Sequence, residues 1–150
     1  MIRTVPIMAA MLMLVGCDRA SPEPVVGVER PIVTLPVIPG RPGALYFTLR
    51  TNNDPTRLNA ITSPRIKRIE LHETVTANGV SRMVPLRDAT FDPESPLTFE
   101  PGGRHAMLLE IDPELRAGET VPITFTFDPA APVTIEVPVR EMGVLGHEGH

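Results

Sequence analysis

Proline limits what this chain can fold into more than any other residue. Eighteen prolines stand among 150 residues, and each locks φ near about −65° and removes a backbone donor. No segment carries a long helical period. Between the prolines lie short, β-branched runs closed by Pro or Gly, at 32–37, 44–51, 58–63, 66–75, 80–86, 97–100, 105–111, 120–128 and 133–140. Within 120–128, Ile123, Phe125 and Phe127 alternate with threonine, and Val133, Ile135 and Val137 alternate with Thr134 and Glu136. Such alternation belongs to strands with one buried face. Short strands at this spacing predict a single all-β domain, an antiparallel sandwich or barrel.

The first 16 residues read as an export signal rather than as part of the fold. Arg3 supplies a positive start, and residues 7–15 form an apolar run too short to span a bilayer. Leu14-Val15-Gly16-Cys17 has the form of a bacterial lipobox, in which cleavage precedes a cysteine that becomes lipidated. Cys17 is the only cysteine, so no disulfide can form within the chain. The expected organisation is a signal at 1–16, a lipidated cysteine and tether at 17–30, a folded domain at 31–141 and a flexible tail at 142–150. Loss of 1–16 leaves 13 basic against 18 acidic residues, a formal charge near −5, which argues against nucleic acid as a partner. The expected location is the bacterial periplasm. Asp18, directly after Cys17, resembles a signal for retention at the inner membrane, so the lipid would anchor the protein to that membrane's outer face.

One hairpin can be placed residue by residue. Asn78-Gly79 is a strong two-residue turn signal, because a type I′ turn needs positive φ at both positions. Such a turn pairs Ala77 with Val80, Thr74 with Met83 and His72 with Pro85. Met83 then becomes a diagonal neighbour of His72 on one face. Ile69 and Leu71 alternate with Glu70 and His72, so His72 points away from the side those two bury. Farther on, Glu100-Pro101-Gly102-Gly103 suits a type II turn. The strand after it sets His105 and Met107 on one face and Ala106 and Leu108 on the other. Which face is wet stays open, and a bulge near Leu108 would exchange them.

His72, Met83, His105 and Met107 therefore form a spaced set, His-x10-Met-x21-His-x-Met. Taken singly, Met83 and Met107 could fill gaps in a core, and His72 could be an ordinary surface histidine. Together with the Asn-Gly hairpin, the "ELHE" strand before it and the "PGG" turn before His105, the set resembles the periplasmic copper chaperone family PCuAC. The resemblance covers about 43–140. It implies a cupredoxin-like β-sandwich that binds Cu(I) through His72, Met83, His105 and Met107. It also implies a role in supplying copper to cytochrome c oxidase, with a copper-accepting oxidase subunit or another copper chaperone as partner. A monomer is expected.

The chemistry supports that reading on its own terms. Cu(I) is a soft ion that favours thioether and imidazole. Thioethers carry no proton and are poor ligands for zinc, whose sites prefer cysteine, histidine and carboxylate. Thiolates would risk oxidation outside the cytoplasm. An enzyme is not expected: there is no recognisable nucleophile motif, and four filled positions leave no open place for a substrate. A copper buffer without a dedicated client needs the same ligands and remains the alternative. Glu70 and Glu73 flank His72 and read as a solvated strand edge. Met142, His147 and His150 form a second cluster in the tail, with nitrogen and sulfur donors that suit Cu(II) or loose capture of either oxidation state.

Overall fold

A computed structural model describes residues 25–52 and 54–143. These hold ten strands and no helix. The strands are β1 (Val26–Leu35), β2 (Gly43–Thr51), β3 (Thr56–Thr62), β4 (Ile66–Ala77) and β5 (Val80–Pro85), then β6 (Thr90–Phe91), β7 (Leu97–Phe99), β8 (Arg104–Ile111), β9 (Thr120–Asp128) and β10 (Val133–Glu141). They join in one hydrogen-bonded path, β5-β4-β8-β2-β1-β10-β9-β3-β6, with β7 paired to β2. The path is open, with β5 at one end. The all-β expectation holds.

Three features went unread in the sequence. Strand β1 starts at Val26, inside the stretch expected to be tether, with Val26 buried and paired to Thr51. The Arg30-Pro31 pair looks like a strand boundary in one dimension. In space it is a bulge: the register shifts between Glu29 and Ile32, and Arg30 takes φ 47°. A bulge is where a strand can carry a proline, because the ladder needs no donor there. Strand β6 is only two residues long, below any periodic signal, yet it buries Phe91 to 1% exposure. Finally, β1 and β10 pair in parallel through Val33–Val139, whereas every other ladder is antiparallel. Strands from opposite ends of the domain are free of the short hairpin that imposes the antiparallel sense. Pro138 sits at the changeover on β10: it ends the ladder to β9, and Val139 begins the ladder to β1.

One core lies between the two halves of the path. All five phenylalanines of the chain are in it. Phe47 of β2 stacks on Phe99 of β7 at 4.4 Å between centroids and meets Phe125 of β9 edge-on at 5.0 Å. Along β9, Val121, Ile123, Phe125 and Phe127 are buried while the residues between them are not. Gly43 marks a close approach: a Cβ there would lie 2.6 Å from the Thr34 carbonyl oxygen.

At the far end of the β4/β8 ladder, charges tie the strands together. Lys67 Nζ donates to Glu110 at 2.9 Å and holds that carboxyl below its usual range. The Glu114 backbone N–H and then Arg65 do the same for Asp112, and Arg65 is raised in return.

Candidate metal centre

The β4/β5 hairpin takes the expected register. Ala77 pairs with Val80, Thr74 with Met83 and His72 with Pro85. Asn78 and Gly79 take φ 53° and 75°, as a type I′ turn requires. The later turn also forms. The Glu100 carbonyl accepts from Gly103 N–H at 3.1 Å, and Gly102 takes φ 81°, the geometry of type II.

Strand β8 lies against β4 in uniform register from Glu73–Arg104 to Arg68–Leu109. His72 is directly opposite His105, and Glu70 is directly opposite Met107. Directly opposed residues share a face, so the hairpin and β8 present Met83, His72, Glu70, His105 and Met107 on one side of the sheet. The open question about β8 is thereby answered. Ala106 and Leu108 are fully buried, and the His105/Met107 face is the outer, half-exposed one. No register shift occurs at Leu108; the unusual backbone is at Glu110, with φ 53°, beyond the site.

Two of the rings and one sulfur are close. The centroids of His72 and His105 are 6.1 Å apart. His105 Nε2 lies 3.3 Å from Met83 Sδ. Met83 is 55% exposed, so it is not a core gap-filler. Met107 is half-buried, two pairs along the ladder, and it flanks His105 on the same face.

The hydrogen-bond partners favour one tautomer for each ring. His105 Nδ1 lies 3.3 Å from the Gly103 carbonyl oxygen. A carbonyl only accepts, so Nδ1 carries the proton, and in the neutral ring Nε2 keeps its lone pair. That lone pair faces the Met83 sulfur, which has no proton to give. The same Gly103 carbonyl accepts from Thr74 N–H at 3.2 Å, which ties the turn to the hairpin. His72 follows the same logic. Its Nε2 donates to Glu70 Oε2 at 3.1 Å, and its Nδ1 is buried without a partner. An unpartnered buried acceptor costs free energy unless something binds it.

The donor set discriminates between metals. Among the described residues no group of three His, Cys, Asp or Glu side chains could hold an ion. The donors this face adds to its two imidazoles are thioethers, which suit a soft monovalent ion better than zinc. Of the tail set, Met142 is described: its N–H donates to the Leu35 carbonyl at 2.9 Å, and its side chain is exposed. His147, His150 and Cys17 lie outside the described residues. Glu70, read from the sequence as solvated edge, has a 42% exposed side chain and is also the hydrogen-bond partner of His72. The i, i+2 spacing of Glu70 and His72 was the available signal.

The sequence matches the family "Putative lipoprotein LpqE-like" over residues 26–139. A curated relative, "Uncharacterized protein RP573" of Rickettsia prowazekii (strain Madrid E), is 41% identical over 88 residues, which cover 57% of this chain and 48% of that one. The chain spans about half the length of the curated relatives it matches. Among solved structures, the copper-bound PCuAC domain from PmoF2 aligns with a TM-score of 0.64 at 24% identity, covering 77% of this chain and 92% of that domain. The solution structure of CuI-DR1885 from Deinococcus radiodurans aligns with a TM-score of 0.54 at 27% identity, covering 82% and 81%. These likenesses establish the cupredoxin-like fold.

Proposed function

The chain belongs to the LpqE-like family, and from its geometry we propose that it is a copper(I) carrier, a non-enzyme that holds one ion through His72, Met83, His105 and Met107. One observation carries the reading: Nε2 of His105 lies 3.3 Å from the Met83 sulfur, beside a histidine whose buried Nδ1 has no partner. Solved neighbours of the same fold include a copper-bound PCuAC domain and a CuI-bound protein, which supports copper as the cargo.

The four ligands are neutral, so the bound ion keeps its single positive charge. Two of them are thioethers that never need to lose a proton. Met83 stands exposed on the end strand of the path. It is the ligand an incoming donor or a departing acceptor reaches first, and a carrier needs one such ligand to exchange its ion. The client in this reading is a copper-accepting respiratory oxidase subunit or another copper chaperone. Loss of oxidase activity in copper-limited cells lacking the protein would identify the carrier; poor growth only under copper stress would identify a buffer instead.

The family's name and the Cys17 lipobox support a lipid anchor, and Asp18 supports the outer face of the inner membrane as its place. Cys17→Ser protein is expected in the soluble fraction; continued membrane binding would remove lipidation as the anchor. The decisive test of the site is a Cu(I) titration of the mature protein with X-ray absorption. One equivalent bound, with both sulfur and nitrogen scattering, is expected, and uptake without sulfur would refute the site. For the tail, deletion of 142–150 is expected to leave that equivalent intact and to lower Cu(II) uptake; unchanged Cu(II) stoichiometry would end the tail's role.

A further inference from the structure

Glu70 is held in place from both sides. Its Oε2 accepts from His72 Nε2 at 3.1 Å, and its Oε1 lies 3.2 Å from Arg68 Nε. The three side chains alternate along β4 and share its outer face. The carboxylate is 42% exposed and the arginine 58%, while the His72 side chain is only 15% exposed. An exposed ion pair of this kind adds little to stability. Its effect falls on the ring. A histidine can turn about its last side-chain bond, which puts a ring carbon where each nitrogen was, and its proton can sit on either nitrogen. A carboxylate only accepts, so in the neutral ring the contact fixes the proton on Nε2 and leaves the lone pair on Nδ1. That nitrogen is the buried one without a partner.

We propose that Glu70, braced by Arg68, is a positioning residue that selects Nδ1 of His72 as the metal-binding nitrogen. This inference rests on the copper reading above. The two histidines are thereby held in opposite senses. His105 is pinned through Nδ1 by a backbone carbonyl and offers Nε2, and His72 is pinned through Nε2 by a side chain and offers Nδ1. Loss of a partner that holds a ligating imidazole in place typically costs about 10–100-fold in metal affinity. Directly opposite Met107, Glu70 also sets one negative charge beside the single positive charge of the ion.

The test uses nitrogen-15 NMR of the mature protein, before and after Cu(I) loading, on wild type, Glu70→Ala and Glu70→Gln. In apo wild type the His72 Nε2–H signal is expected to be visible, protected from exchange by Glu70. On loading, the Nδ1 resonance moves and Nε2 stays protonated. In Glu70→Ala the Nε2–H signal is lost to exchange and Cu(I) affinity falls about tenfold or more. Glu70→Gln keeps an acceptor oxygen but no charge, so it restores the Nε2–H signal and brings the affinity between those of Glu70→Ala and wild type. Unchanged signal and affinity in Glu70→Ala overturn the inference, as does a wild-type spectrum in which Cu(I) moves Nε2. If wild type takes up no Cu(I), the carrier reading fails; an Nε2–H signal equally visible in the apo forms of wild type and Glu70→Ala would sink the Glu70 contact by itself.

Discussion

His105→Ala is expected to lower Cu(I) affinity by more than about 100-fold while moving stability by less than about 0.5 kcal/mol. The first figure follows because loss of a direct ligand should exceed the 10–100-fold typical of an outer partner. The second follows because substitutions on an exposed face, away from core and caps, rarely cost more. His105 lies on the outer face of β8, and the strand is held from the other side by fully buried Ala106 and Leu108. Met83→Ala should behave alike, since Met83 is 55% exposed on the end strand β5. The two side chains are in contact at 3.3 Å, so their effects should not add. The double variant should lose clearly less than the sum of the two in RT ln Kd. Competition against a Cu(I) chelator measures all three affinities. Wild-type affinity in both single variants would remove the site.

Phe125→Ala should destabilise the fold by about 3–5 kcal/mol, the usual cost of emptying a buried aromatic position. Phe125 is fully buried. It meets Phe47 edge-on and lies 6.4 Å from Phe127, parallel to it. The contact with Phe47 crosses from β9 to β2, so the cavity would open between the two halves of the path. Domains are stable by only about 5–15 kcal/mol in all, so this single change should remove a large share of the margin. Urea unfolding followed by circular dichroism would show the lowered midpoint; an unchanged midpoint would mean that the core is not organised around this ring. Because β2 also carries β8 on its other edge, copper uptake should fail at a lower urea concentration in the variant than in wild type.

Much of the candidate site's local geometry was legible in the sequence. Asn78-Gly79 selects one turn type, a type I′ turn has one register, and a register with period two settles which residues share a face. That chain of inference alone put Met83 diagonal to His72. The pairing of β4 with β8 was out of its reach. Those strands are joined by no hairpin, so nothing local placed His72 opposite His105 or Glu70 opposite Met107. The contact of Glu70 with His72, within β4, also went unread. A carboxylate two residues from a histidine on a strand is commonplace, and only the ring's orientation in space shows that it is bonded.

The sequence by itself determined the strand content, through its prolines and its alternating runs, and it determined the turn geometries through glycines and an asparagine able to take positive φ. Those are local properties, decided by sterics within a few residues. Only the tertiary structure decided which face of β8 is wet, that Arg30-Pro31 is a bulge and not a beginning, and that β1 and β10 run in parallel. These depend on which distant strands share backbone donors and acceptors and which side of each strand meets the phenylalanine core. Periodicity along one strand holds no record of what packs against it.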